Sequence, residues 1–203
     1  MITVYGMTNS GNCYKPRLLL GKLGKPFRHI EANFQNGMTQ SPEFLAKNPN
    51  GMVPLLELED GRLLAESNAI LLYLAEGTQF LPGDAYERGL AYQWMFFEQY
   101  SHEPYIAVRR ALLTIPEKMK NATPERLAVT LERGNKALRV MDVHLASHDF
   151  FAGKTLSVAD LALYAYTHDA GAGGFVLADY PNILAWLERV TADPGHVPMQ
   201  WIG

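Results

Sequence analysis

The first eighty residues alternate between two apolar periods. Ile2-Thr3-Val4-Tyr5 is a short apolar run that predicts a strand. It enters a small-residue turn, Thr8-Asn9-Ser10-Gly11-Asn12-Cys13-Tyr14-Lys15, and leaves into a leucine-rich stretch. Leu19, Leu20 and Leu23 give that stretch an apolar stripe, so a helix is expected over 12–24, with Gly24 at its C-cap region. Pro16 lies early in this helix, where it cannot donate to the Asn12 carbonyl. Pro26 to Ala32 alternates and predicts a second strand, with Ile30 and Ala32 on one face. Ser41-Pro42-Glu43-Phe44-Leu45 opens a short helix, Ser41 as N-cap and Pro42 at the first helical position, and Asn48-Pro49-Asn50-Gly51 ends it in a turn. Val53 to Leu58 and Arg62 to Ala65 flank Glu59-Asp60-Gly61, and Asp-Gly between apolar runs predicts a hairpin. Ile70, Leu71 and Leu74 then mark a helix through Glu76, with Ser67 expected as N-cap. The order β-α-β-α-β-β-α starts with a parallel, right-handed crossover and ends with an antiparallel strand.

Thr78 to Asp84 is turn chemistry, and beyond it the pattern is helical only. Tyr86 to Tyr100 is aromatic-rich and meets Pro104, which ends or kinks it; a second stretch runs to about Leu113. Thr123 caps a long helix on which Leu127, Leu131, Leu138, Met141 and Leu145 keep one face apolar. Ser157-Val158-Ala159-Asp160 is a capping box with Asp in place of Glu, and Leu156 and Leu161 are placed as its hydrophobic staple. A last helix is expected over Ile183 to Val190. Residues 1–77 therefore read as an α/β domain, 78–85 as a linker and 86–203 as an all-α domain.

At 203 residues and 48% hydrophobic, the chain can bury a real core. A net charge of −3 argues against a nucleic-acid surface. The longest apolar run, Ala69 to Ala75, falls far short of the roughly 20 residues of a spanning helix, and the N-terminus lacks a signal-peptide pattern. No membrane association is expected. The single cysteine excludes an intrachain disulfide and an intrachain dithiol cycle, which fits a reducing cytoplasm.

The chemistry concentrates in the opening turn. Thr8, Asn9, Ser10 and Asn12 offer donors beside the positive end of a helix, which suits an anion or a thiolate. Cys13 lies close enough to that helix end to be activated, although packing is the plainer reading. His144 and His148 are spaced as metal ligands can be, but no third ligand lies nearby, so they read as surface histidines and no metal is expected. Gly171-Ala172-Gly173-Gly174 lacks the Lys-Ser/Thr of a phosphate loop and reads as a turn.

Three motifs, in order across both halves, carry a resemblance. Asn48-Pro49-Asn50-Gly51-Met52-Val53-Pro54 is similar to a turn into a cis-proline. Glu66-Ser67-Asn68-Ala69-Ile70 is similar to a Glu-Ser-x-Ala-Ile element, and Leu156-Ser157-Val158-Ala159-Asp160 to the capping box of a buried core helix. Together with the element order they resemble the glutathione S-transferase superfamily, with its thioredoxin-like glutathione-binding domain and all-α second domain. The resemblance implies that Ser67 and Glu66 hold the γ-glutamyl end of glutathione and that Val53, before a cis-Pro54, pairs with its cysteinyl backbone. Ser10 falls where theta-like members carry a catalytic serine, and Asn12 where nu-like members carry an asparagine. Either or both would stabilise the glutathione thiolate. A thiol of pKa ~8.5 needs roughly 1.4 kcal/mol of differential stabilisation per unit of depression. Tyr5 lies inside the first strand, which argues against a tyrosine activator. Met52 stands where many relatives have lysine, and the 37–40 stretch lacks an arginine or histidine, leaving Thr39 or Gln40 to hold the glycyl end. His102 and Tyr105, at the Pro104 kink, fall where the resemblance implies an electrophile pocket and a partner subunit; solvated polar residues at a kink are the equal alternative.

The resemblance thus implies an enzyme that binds glutathione as co-substrate and attacks an electrophilic small molecule, working as a homodimer in detoxification. A nu-like glutathione-dependent disulfide reductase or peroxidase is the alternative within enzymes. A non-catalytic glutathione-binding or scaffolding relative is the alternative outside them.

Overall fold

A computed structural model describes residues 1–203, and the chain divides into two compact units: Met1–Thr78 with Pro194–Gly203, and Gln79–Asp193.

The first unit is built on a four-stranded sheet in the order β2-β1-β3-β4. β1 (Thr3–Gly6) pairs parallel with β2 (Arg28–Glu31) and antiparallel with β3 (Leu55–Glu57), which pairs antiparallel with β4 (Leu63–Ala65). The expected crossover and hairpin are both present. Helix α1 (Gly11–Lys22) supplies the crossover and packs on α3 (Ser67–Ala75). It ends in a Schellman pattern: Gly24, at φ 60°, lets Lys25 N–H reach Leu20 C=O at 3.0 Å. On the opposite face, α2 (Pro42–Lys47) sets Phe44 against Ala32 and Leu55, with Tyr5 meeting Phe44 edge-on at 6.0 Å.

The tail 194–203, which the sequence pattern leaves with the helical domain, belongs to this unit. Tyr14 Oη donates to Val197 C=O at 2.6 Å, and the Phe27 and Trp201 rings meet edge-on at 5.4 Å. These partners lie 183 and 174 residues apart along the chain, so no local pattern announces them.

The second unit contains α4 (Ala85–Phe97), α5 (Glu103–Thr114), the short α6 (Pro116–Met119), α7 (Pro124–Leu145), α8 (Val158–Thr167) and α9 (Pro181–Ala192). At the Pro104 kink the chain does not stop. It widens into a π-type turn over Glu98–His102 and continues as α5, which accommodates a proline that cannot donate to the preceding turn. α9 starts two residues earlier than its apolar pattern, because Asp142 on α7 accepts the N–H groups of Asn182 and Ile183 at 2.9 and 3.1 Å. No helix of the protein is long and apolar enough to cross a membrane.

α8 is buried along its whole length, and its capping box is formed as expected. Asp160 accepts on one oxygen from Phe151 N–H and Trp186 Nε1–H, both at 3.0 Å. On the other it accepts from Ser157 N–H at 2.9 Å and Ser157 Oγ–H at 2.8 Å. Burial pushes its carboxyl up to about 6, and these four donors hold it from rising further. The His144 and His148 rings stack at 4.2 Å, and His144 also packs on Trp94 and Phe151. His144 is thus half-buried packing rather than a surface residue, and no group of three metal-binding side chains is assembled anywhere.

Asp160→Asn should be severe, because either orientation of the amide turns its NH2 towards two donors. The expected loss is about 2–4 kcal/mol by urea denaturation. Because the folded carboxyl titrates near 6 and an unfolded aspartate near ~3.9, the native state holds the extra proton between those values. Its contribution is full below about pH 4 and falls as pH rises towards 6. The stability gap between wild type and Asp160→Asn should narrow over that range.

Candidate functional site

The opening turn is held from two sides. Thr8 donates through its N–H and, at 2.6 Å, its hydroxyl to the Glu31 carboxylate, which also accepts from Asn33 Nδ2 at 2.9 Å and meets His29 Nε2 at 3.2 Å. Burial alone would raise the Glu31 carboxyl, but these hydrogen bonds outweigh it and hold it below the usual carboxylate range. On the other side is Arg17, fully buried. Its guanidinium donates to the carbonyls of Thr8 at 2.7 Å, Cys13 at 3.1 Å and Trp201 at 3.2 Å. One planar side chain thereby ties the turn, the first turn of α1 and the C-terminal tail together.

Within this frame Ser10 is the N-cap of α1, its Oγ accepting from Cys13 N–H at 3.4 Å. That bond uses an oxygen lone pair and leaves the hydroxyl proton to donate elsewhere. Cys13 is fully buried, its Sγ accepts from Met7 N–H at 3.3 Å, and burial pushes its thiol up. It is a packing residue, not a nucleophile. Tyr5 Oη donates to Glu57 on the neighbouring strand β3 at 2.7 Å, so its hydroxyl is engaged within the sheet.

The turn from β4 into α3 differs from expectation. The N-cap is Glu66, not Ser67, and Glu66 alone among non-glycine residues has a positive φ, 69°. That conformation breaks the helical dihedrals at Glu66, so Ser67 is the first helical residue and its hydroxyl does not cap a backbone N–H. Instead Ser67 Oγ donates to Asn12 Oδ1 at 3.3 Å and accepts from Lys15 Nζ at 3.2 Å; Lys15 also donates to Asn68 Oδ1 at 3.0 Å. With its single proton on Asn12, Ser67 offers an incoming anion its backbone N–H. Glu66 is exposed beside it, with no side-chain partner within the chain.

The Val53–Pro54 peptide is cis. Val53 N–H and C=O take no partner within the chain. Gly51, at φ 63°, lies against Thr39 C=O and the Gln40 side chain, so closely that a Cβ there would come within 2.9 Å of Gln40 Nε2. Gln40 is exposed and Thr39 is buried. Ser10, Asn12, Val53, Pro54, Glu66, Ser67, Thr39 and Gln40 all lie in this first unit.

The other two candidates lie in the helical unit. His102 is fully buried and its Nε2 meets Thr167 Oγ1 at 2.9 Å on the core helix α8, which takes it out of the expected electrophile pocket. Tyr105 lines a cavity of about 450 Å³ with Phe97, Tyr100, Arg133 and Lys136, and its hydroxyl accepts from Arg133 at 2.8 Å.

Lys15 closes the opening stretch but has no role assigned from sequence, and Arg17 and Glu31 are not singled out by the sequence pattern. A signal existed for the first two. Three consecutive leucines at 18–20 imply burial on more than one helix face, so charges one turn earlier have to be satisfied inside. Glu31 had no such signal, since its partner Thr8 is a non-local one.

The chain matches the family description "Glutathione S-transferase, N-terminal domain" over residues 1–76 and "Glutathione S-transferase, C-terminal domain" over 94–194. It is 30% identical to glutathione S-transferase GstB of Escherichia coli over 96% of this chain and 95% of that one. It is 28% identical to the disulfide-bond oxidoreductase YfcG of the same organism, over 96% and 92%. A crystal structure of a glutathione S-transferase from Pseudomonas fluorescens superposes with a TM-score of 0.94 at 50% identity, covering 98% of each chain. With its four-stranded α/β unit, its helical unit and both family domains matched in order, the chain belongs to the glutathione S-transferase superfamily.

Proposed function

We propose that this protein is a glutathione transferase that binds glutathione in its first unit, stabilises the thiolate and directs it onto an electrophilic small molecule. The observation that carries the reading is the juxtaposition, through one hydrogen bond, of the α3 N-terminus at Ser67 with the α1 entry at Asn12. An anion site and a thiol site are thereby adjacent. The γ-glutamyl carboxylate would sit at the start of α3 on backbone N–H groups led by Ser67, where the helix dipole favours negative charge. Glu66 would accept from the γ-glutamyl ammonium. Val53 would pair with the cysteinyl backbone strand to strand, and Pro54 would set that edge. Gln40, beside Gly51, is the better placed of the two candidates for the glycyl carboxylate, since Thr39 is buried. The Ser10 hydroxyl and the Asn12 amide would donate to the sulfur. The thiolate then attacks an electrophilic carbon, and the leaving group departs with the bonding pair.

Disulfide reduction is the second reading, favoured by the burial of Cys13. With no protein thiol available, one glutathione thiolate would attack the disulfide to form a mixed disulfide and release a thiolate. A second glutathione would resolve it, giving glutathione disulfide. The relative named a disulfide-bond oxidoreductase supports keeping this reading. We also propose a homodimer, supported by Tyr86, Phe96, Tyr100 and Val143, which leave apolar surface exposed on the helical unit.

Glutathione binding followed by ultraviolet thiolate absorbance tests the reading, and no binding at millimolar ligand would overturn it. Ser10→Ala and Asn12→Ala should each raise the bound thiol's pKa by about one unit and slow turnover of an aryl halide about tenfold. Unchanged values in both would discard these two activators. Glu66→Gln should raise the KM for glutathione about fivefold, with kcat retained. Comparing an aryl halide with a small disulfide ranks the two activities. Sedimentation should give about twice the 22.7 kDa chain mass.

A further inference from the structure

Lys15, Ser67, Asn12 and Asn68 form a hydrogen-bonded chain whose direction is dictated from one end. Lys15 is fully buried on α1 and donates to Ser67 Oγ at 3.2 Å and Asn68 Oδ1 at 3.0 Å. A lysine ammonium has three donors and no acceptor. Ser67 must therefore accept from Lys15, and its one proton has to point elsewhere; it goes to Asn12 Oδ1 at 3.3 Å. Asn12, accepting on its carbonyl oxygen, must present its NH2 on the opposite side. A hydroxyl and an amide can each face either way in a hydrogen-bond chain. A buried cation that can only donate removes that freedom from both.

We propose that Lys15 is a positioning residue for thiol activation. Through Ser67 it fixes the Asn12 amide with Nδ2 turned towards the sulfur of bound glutathione. This rests on the proposed function, because the sulfur is the ligand's. Without Lys15, Ser67 can turn its proton away from Asn12, the amide can flip, and an oxygen lone pair then faces the thiolate in place of a donor. Lys15 touches no reacting atom, so its loss should appear in the ionisation of the thiol and much less in affinity.

Two readouts separate these effects. Ultraviolet titration of the glutathione complex reports the bound thiol's pKa, while binding of S-methylglutathione, which has no ionisable thiol, reports affinity alone. Lys15→Met should raise the bound thiol's pKa by about half a unit to one unit and change S-methylglutathione affinity by less than about threefold. The double variant Lys15→Met/Asn12→Ala should show no larger rise than Asn12→Ala alone, because both act on one donor. Lys15→Arg, which still only donates, should recover most of the depression. If Lys15→Met does not fold, Lys15→Gln gives the same test: it can accept as well as donate and should raise the pKa likewise. A bound-thiol pKa that Lys15→Met or Lys15→Gln leaves unchanged, or effects of Lys15 and Asn12 that add, would overturn this inference alone. A wild-type protein that binds no glutathione would overturn the proposed function and this inference with it.

Discussion

Arg17 is buried and spends its guanidinium on three backbone carbonyls, those of Thr8, Cys13 and Trp201. Burial lowers its pKa from the ordinary value, yet a guanidinium stays charged and keeps five donors in a planar fork. Carbonyls are the right partners here, since they satisfy the donors without adding a second buried charge. The geometry of the candidate site follows from this contact. The Thr8 carbonyl and, through Glu31, the Thr8 amide and hydroxyl are fixed, so the turn that delivers Ser10 to the start of α1 has little freedom left.

A second constraint concerns direction rather than position. Polar side chains at this site are hydroxyls and amides, which can donate or accept. What a hydroxyl or amide offers a ligand depends on what its neighbours already demand. Cys13 N–H claims a lone pair of Ser10. Lys15 claims a lone pair of Ser67, whose proton then goes to Asn12. The α3 N-terminus consequently presents backbone N–H groups, which cannot be reoriented.

Burial decides which thiol matters. Cys13 sits one turn from a helix N-terminus, a position that can lower a thiol's pKa, but it is closed off from solvent and its sulfur already accepts from Met7. Desolvation raises it more than its hydrogen bonds lower it.

The sequence by itself determined the element order, the parallel crossover, the Asp60-Gly61 hairpin, the Ser41 and Thr123 caps and the capping box at Ser157. Each of these rests on residues within a few positions of one another, where periodicity and side-chain chemistry act locally. It also brought Ser10 and Asn12 forward, because small polar residues at a strand-to-helix turn carry a recognisable pattern, whereas Val53 and Ser67 came forward through the family resemblance of the motifs that hold them. Tertiary structure decided what depends on partners distant in the chain. It assigned the tail to the first unit through Val197 and Trp201, and started α9 early on Asp142. It moved the α3 cap to Glu66 through one left-handed φ, and buried His102 against Thr167. It also set Lys15, Arg17 and Glu31 around the opening turn. A charged side chain reads as surface until the fold shows which carbonyls, hydroxyls and amides it meets inside, and those partners lie up to 184 residues away.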